Sequence, residues 1–161
     1  MFKTTYHSPI GWLEITATTT GIYSLYFYDE QPAPDSATPD PATAALLDTA
    51  QHQIAEYFAG QRHTFDLPLD LHGTSFQLKV WQELLNIPYG KTISYLDLAR
   101  ALNNEKAIRA VGGANGRNPV SLIVPCHRVI GNNGKLVGYG GGLWRKEWLL
   151  NHEQQGRPLL G

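Results

Sequence analysis

The chain has 161 residues, 42% of them apolar, and a negative mean hydropathy, enough to bury a core in one domain or two small ones. No apolar run has the length of a membrane span and the first residues lack a signal-peptide core, so the expectation is a cytoplasmic protein without membrane contact; a single cysteine excludes an internal disulfide and a thiolate zinc site. The net charge of -1 hides a split: residues 1–72 carry two Lys/Arg against nine Asp/Glu, and residues 73–161 carry eleven against five.

Such a split suits a C-terminal half that faces a polyanion, set against the plainer reading of ordinary variation between solvated surfaces. Along the chain, Trp12 to Ala17 alternates and Gly21 to Phe27 is rich in aromatic and β-branched residues, so both read as strands around a turn at Thr18 to Gly21. Gln31 to Pro41, with four prolines, reads as a loop. Leu46, Leu47, Ala50, Ile54, Tyr57 and Phe58 recur at helical spacing, with Gly60 placed to end the helix. Phe65 to Leu71 alternates again, and its proline suggests an edge strand. His7, His52 and His63 are scattered and read as surface or packing residues. Residues 1–72 thus form a small α/β domain, an antiparallel sheet plus a helix, with no clustered chemistry.

From Gly73 the pattern turns helical. Thr74 with Gln77 makes a capping box before Phe76, Val80, Trp81, Leu84 and Leu85, and Pro88-Tyr89-Gly90 closes that helix. Ser94 with Asp97 opens a second helix, Tyr95 to Leu102; Asn103-Asn104 turns the chain into a third, Glu105 to Ala114. Two short helices about so brief a turn outline a helix-turn-helix. In the third, Gly112 and Gly113 each cost about 1 kcal/mol of helix propensity, which only a close approach to another backbone offsets: a neighbouring helix, or a nucleic-acid groove beside Arg109. Arg128 to Gly131 and Lys135 to Gly138 flank Asn132-Asn133-Gly134 and predict a β-hairpin, a wing to the helix-turn-helix. Leu143 to His152 is a final amphipathic helix ending near Glu153, and the last eight residues read as a tail. The fold class is therefore α+β, with domains 1–72 and 73–161, the second a mostly helical winged helix-turn-helix.

The apolar run Ser121 to Val124 stops at Pro125 and delivers Cys126 with His127 beside it. Alone, Cys126 reads as a small buried hydrophobe. A neighbouring imidazole, or a water it polarises, would instead raise the fraction of reactive thiolate.

Five segments in order, Ile93-Ser94-Tyr95, Arg109 to Ala114, Asn118-Pro119-Val120, Val124 to Val129 and Lys146 to Leu150, resemble the O6-alkylguanine-DNA alkyltransferases. The resemblance implies a DNA-repair transferase that flips an alkylated guanine out of double-stranded DNA and moves its alkyl group irreversibly to Cys126, one protein molecule per lesion, with O4-alkylthymine as a second substrate. It implies that His127 takes the thiol proton through a water, Glu153 orients His127, Asn118 braces the active-site turn, and Tyr95 assists flipping and donates to the base. On the DNA side it implies Arg109 as the residue filling the gap in the duplex, with Ala110, Gly112, Gly113 and Asn115 on the groove helix and Arg128 among the contacts. The carbonyls of Cys126 and Val129 and the amide of Gly140 would face the base edge, walled by Tyr139 and residues 136–141. Zinc-bearing members use cysteines absent here, so no metal and no cofactor is expected, and the protein is expected to act as a monomer. Two other readings stand beside this one: a non-catalytic alkyltransferase-like lesion-binding protein, which would replace the acceptor cysteine, and a cysteine hydrolase using Cys126, His127 and Glu153, which would need an acyl site.

Overall fold

Strand β1 (Phe2–Ser8) pairs antiparallel with β2 (Gly11–Ala17), and β2 with β3 (Ile22–Tyr28), in that order across the sheet. The computed structural model describes residues 1–154, and the chain divides into a unit Met1–His72 and a second unit beginning at Gly73. Alternation in β2 turns Leu13, Ile15 and Ala17 to one face, all fully buried with Ile22 and Leu25 of β3. Helix α1 (Pro41–Phe58) packs against β1 and β2 and buries Leu47, Ala50, Ile54 and Tyr57. Asp40 caps it by accepting from the Thr43 amide at 3.1 Å, Pro41 supplies the pre-set first helical residue, and Gly60, at φ +77°, turns the chain away.

The edge strand expected over Phe65 to Leu71 is reduced to one parallel bridge, Ile22 with Leu69. Ile22 donates to the Pro68 carbonyl and Asp70 donates to the Ile22 carbonyl, both at 2.8 Å. Pro68 has no N–H of its own, so the ladder goes no further. Gly21 is required for the approach: a Cβ there would stand 2.7 Å from the Pro68 carbonyl.

In the second unit both capping boxes form as the sequence predicts, Thr74 with Gln77 opening α2 (Ser75–Leu84) and Ser94 with Asp97 opening α3 (Tyr95–Ala101). The turn after α3 places Asn103 at φ +56°, a single 3-10 turn follows at Glu105–Ala107, and α4 (Ile108–Gly116) runs two residues beyond the expected end. Helix α4 packs on α2 and α3; the Trp81 indole donates to the Ala114 carbonyl at 2.8 Å. Strand β4 (Ile93–Ser94) pairs in parallel with β5 (Val129–Ile130), and α5 (Leu143–Gln154) ends the described chain.

The expected hairpin over Arg128 to Gly138 does not form as two paired strands. Its first arm is taken by β4, and its second cannot ladder because the Val137 and Gly138 carbonyls accept from the Lys146 ammonium. What remains is a tight loop closed by the Gly131 amide on the Lys135 carbonyl at 2.8 Å. The α+β class holds: an antiparallel sheet with a helix in the first unit, a mostly helical second unit. From residue 155 the expected tail lies outside the described residues. Among the described residues no helix is long and apolar enough to cross a membrane.

Candidate active site

Cys126 opens a 3-10 turn, Cys126–Arg128, at the end of a braced loop. The Asn118 side chain donates to the Val124 carbonyl at 2.8 Å and, more weakly, to that of Val120 at 3.4 Å, while its Oδ1 accepts from the Val120 amide at 3.0 Å. Inside that brace Leu122 sits at φ +73°, a conformation that costs a non-glycine residue about 1–2 kcal/mol. Pro125 then fixes the entry to the turn, and Cys126 lies 5% exposed.

The residues after the thiol are tied to α5. Glu153 Oε2 accepts from His127 Nε2 at 2.7 Å, and the same carboxylate takes the Arg128 guanidinium in a two-pronged pair, Nε to Oε1 at 2.7 Å and Nη2 to Oε2 at 3.0 Å. Arg128 Nη1 donates to the Ile87 carbonyl at 2.8 Å. Burial alone would raise the Glu153 carboxyl, but His127 and Arg128 overcome it and hold the group well below the usual carboxylate range. Burial pushes the fully buried His127 imidazole down, against the pull of Glu153, so it is neutral at pH 7. A carboxylate only accepts, so Nε2 carries the imidazole proton and Nδ1 holds the lone pair. Among the described residues Nδ1 has no hydrogen-bond partner.

Burial raises the Cys126 thiol, an effect that Asn118 and the charge of Lys146 partly offset, so the sulfur rests protonated and needs a base. Lys146, fully buried, donates to the carbonyls of Val129 at 2.6 Å, Val137 at 2.8 Å and Gly138 at 3.4 Å, which pins the loop after β5 to that strand. Burial lowers its pKa to about 8. The Tyr95 hydroxyl donates to the same Val137 carbonyl at 3.2 Å.

Helix α4 presents an open face. Arg109, Ala110 and Gly116 are exposed, and a Cβ added at Gly116 would have nothing within 4 Å. At Gly112 it would meet the Tyr95 ring at an ordinary 3.7 Å, and at Gly113 only the flexible end of Arg117, at 3.3 Å. No backbone crowds these glycines, so tight internal packing does not account for them.

A family model described as "6-O-methylguanine DNA methyltransferase, DNA binding domain" matches residues 75–155, and one described as its "ribonuclease-like domain" matches residues 1–71. The methylated-DNA--protein-cysteine methyltransferase of Mycobacterium tuberculosis is 46% identical over 156 residues, covering 96% of this chain and 93% of its own. The chain belongs to the 6-O-methylguanine DNA methyltransferase family. The constitutive methylated-DNA--protein-cysteine methyltransferase of Bacillus subtilis is 44% identical, covering 95% of each chain. Mycobacterium tuberculosis OGT solved in complex with DNA superposes with a TM-score of 0.85 at 45% identity, covering all of both chains.

Of the residues that family resemblance singles out, Cys126, His127, Glu153 and Asn118 meet around the 3-10 turn, Asn115 and Val129 join them by donating to the Cys126 carbonyl, and Tyr95 shares the Val137 carbonyl with Lys146. Tyr139 is half-buried and Gly140 exposed; a Cβ at Gly140 would stand 3.9 Å from the Gly116 carbonyl, so the glycine loop passes the end of α4. Arg109, Ala110, Gly112 and Gly113 lie along α4. Arg128 is corrected: it is 6% exposed and committed to Glu153 and Ile87, so it steadies the carboxylate rather than facing DNA. Lys146 was missed as a site residue. Its signal was present, since Lys146 shares a helical face with the buried Leu149 and Leu150, where a lysine needs an internal partner.

Proposed function

We propose that this chain repairs DNA directly, transferring the alkyl group of O6-alkylguanine in a duplex to Cys126. The observation that carries the reading is the buried pair of Glu153 and His127, whose second ring nitrogen keeps an unpartnered lone pair, in the residue next to a buried thiol. Family membership supplies the substrate class. In the reaction His127 Nδ1 takes the thiol proton through one water, Sγ attacks the alkyl carbon, the carbon–O6 bond breaks, and the electron pair returns to the guanine ring, which takes up a proton. Tyr95, whose hydroxyl donates to the Val137 carbonyl here, would turn that proton to the base as charge develops. The thioether product is stable, since a saturated carbon bound to sulfur carries no leaving group that water can displace, and each molecule acts once. Retention of Cys126 weighs against the purely lesion-binding reading.

Titration of a methylated duplex with protein tests this: one equivalent should convert one equivalent of O6-methylguanine to guanine and then stop. Continued turnover, or none, contradicts the reading. We read the partner as double-stranded DNA met by a monomer, with the open face of α4 in a groove. Gly116→Leu separates that role from packing. Because a side chain there meets open space and leucine is the better helix former, the melting temperature should hold or rise, while affinity for duplex DNA should fall about tenfold in a binding titration. Unchanged DNA affinity would remove α4 from the interface.

A further inference from the structure

Asn115 is a polar residue at the site whose chemistry the reaction above leaves half-used. Its side chain is 2% exposed on the inner side of α4. Nδ2 donates to the Cys126 carbonyl at 3.4 Å; that carbonyl can only accept, so the nitrogen and oxygen of the amide are fixed in their places. The amide also reaches the Tyr95 phenol, opposing the rise that burial imposes on it, as a donor does. Oδ1 is buried and, among the described residues, accepts no hydrogen bond. A buried carbonyl left in that state is unfavourable unless a bound molecule completes it.

The candidate bases differ in what they offer such an acceptor. An O6-alkylguanine has no hydrogen on N1, N3 or N7, so its exocyclic amine is its only N–H donor. An O4-alkylthymine has none on N3 and carries a carbonyl where guanine has the amine, so it has no N–H donor at all. We propose that Asn115 Oδ1 accepts a hydrogen bond from the exocyclic amine of the extruded base, making Asn115 a specificity-determining residue for alkylated guanine over alkylated thymine. The proposal rests on the repair reading above and adds to it the group that reads the base. It also explains why the amide is anchored on the Cys126 carbonyl: the group that selects the base is held in register with the residue that attacks it.

The test compares three otherwise identical duplexes carrying O6-methylguanine, O6-methylhypoxanthine, which is the same base without the amine, or O4-methylthymine, by the single-turnover rate of methyl transfer to the protein. Wild-type protein should prefer methylguanine over methylhypoxanthine by about tenfold or more. In Asn115→Leu that preference should shrink at least fivefold, and the preference over methylthymine should shrink with it. Asn115→Asp keeps an acceptor oxygen in either protonation state and should retain the preference even where its absolute rate falls. Equal wild-type rates on methylguanine and methylhypoxanthine overturn the proposal whatever the variants do. A wild-type preference that survives intact in Asn115→Leu also overturns it, leaving a water as the partner of Oδ1. Wild-type protein that takes a methyl group from none of the duplexes overturns the repair reading itself, a result distinct from both.

Discussion

Glu153→Gln is expected to slow methyl transfer to Cys126 by about a hundredfold to ten-thousandfold, the range general-base catalysis supplies, and to destabilise the second unit by about 3–5 kcal/mol, the cost of breaking a buried charge pair. The carboxylate does two jobs. It fixes the His127 tautomer that leaves Nδ1 free to accept a proton, and it neutralises Arg128, which is buried with it. Glutamine can accept from His127 or from Arg128 but cannot neutralise the guanidinium. The pH dependence follows in sign. Glu153 is held well below its ordinary range in the fold, so its contribution is complete above the usual carboxylate pKa and is lost as pH falls through and below it. His127 is also held below its ordinary value, so the unfolded chain takes up a proton near the usual imidazole pKa that the fold refuses, and stability begins to fall there. Melting temperature should therefore decline from neutral pH downward, with the wild type losing more than Glu153→Gln in the carboxylate range. Equal slopes in that range would contradict the ion-pair account.

Arg109→Ala should reduce repair of duplex DNA by about tenfold to a hundredfold, equivalent to about 1.4–2.8 kcal/mol, because a residue that fills the space of a flipped nucleotide offsets part of the few kcal/mol that extrusion costs. Arg109 is exposed, so stability should change by no more than about 0.5 kcal/mol. Methyl transfer from a single-stranded oligonucleotide, where there is no stack to leave, should be nearly unaffected. A duplex rate equal to wild type would exclude this role for Arg109.

Local signals were the most legible part of the chain. Both capping boxes, the glycine ending α1 and the turn at Asn103 follow from side chains within four residues of one another, and all four form. The features misjudged depend on partners distant in sequence. Asn132-Asn133-Gly134 is a sound hairpin turn, yet the hairpin yields to a lysine nine residues beyond its second arm's Val137 and to a short strand 36 residues before it. Arg128 sits in a basic half and invites a DNA role, until Glu153, 25 residues on, claims its guanidinium. The charge split is reduced for the same reason: Arg128, Arg145 and Lys146 are buried, so the exposed positive charge of the second unit rests on fewer cations, among them Arg109, Arg117 and Lys106. In the site itself, Cys126 and His127 were legible from adjacency. The orphan oxygen of Asn115 was not, because satisfaction of a hydrogen bond is a property of the packed structure alone.

Repair by this chain reduces to one event, the capture by a single sulfur of carbon from a base in DNA. The most direct measurement is the mass of the protein, and of the peptide containing Cys126, after incubation with a duplex bearing one O6-methylguanine. Cys126 should gain one methyl group, and Cys126→Ala should gain none; an unchanged mass, or a methyl group on any other residue, would rule out Cys126 as the acceptor.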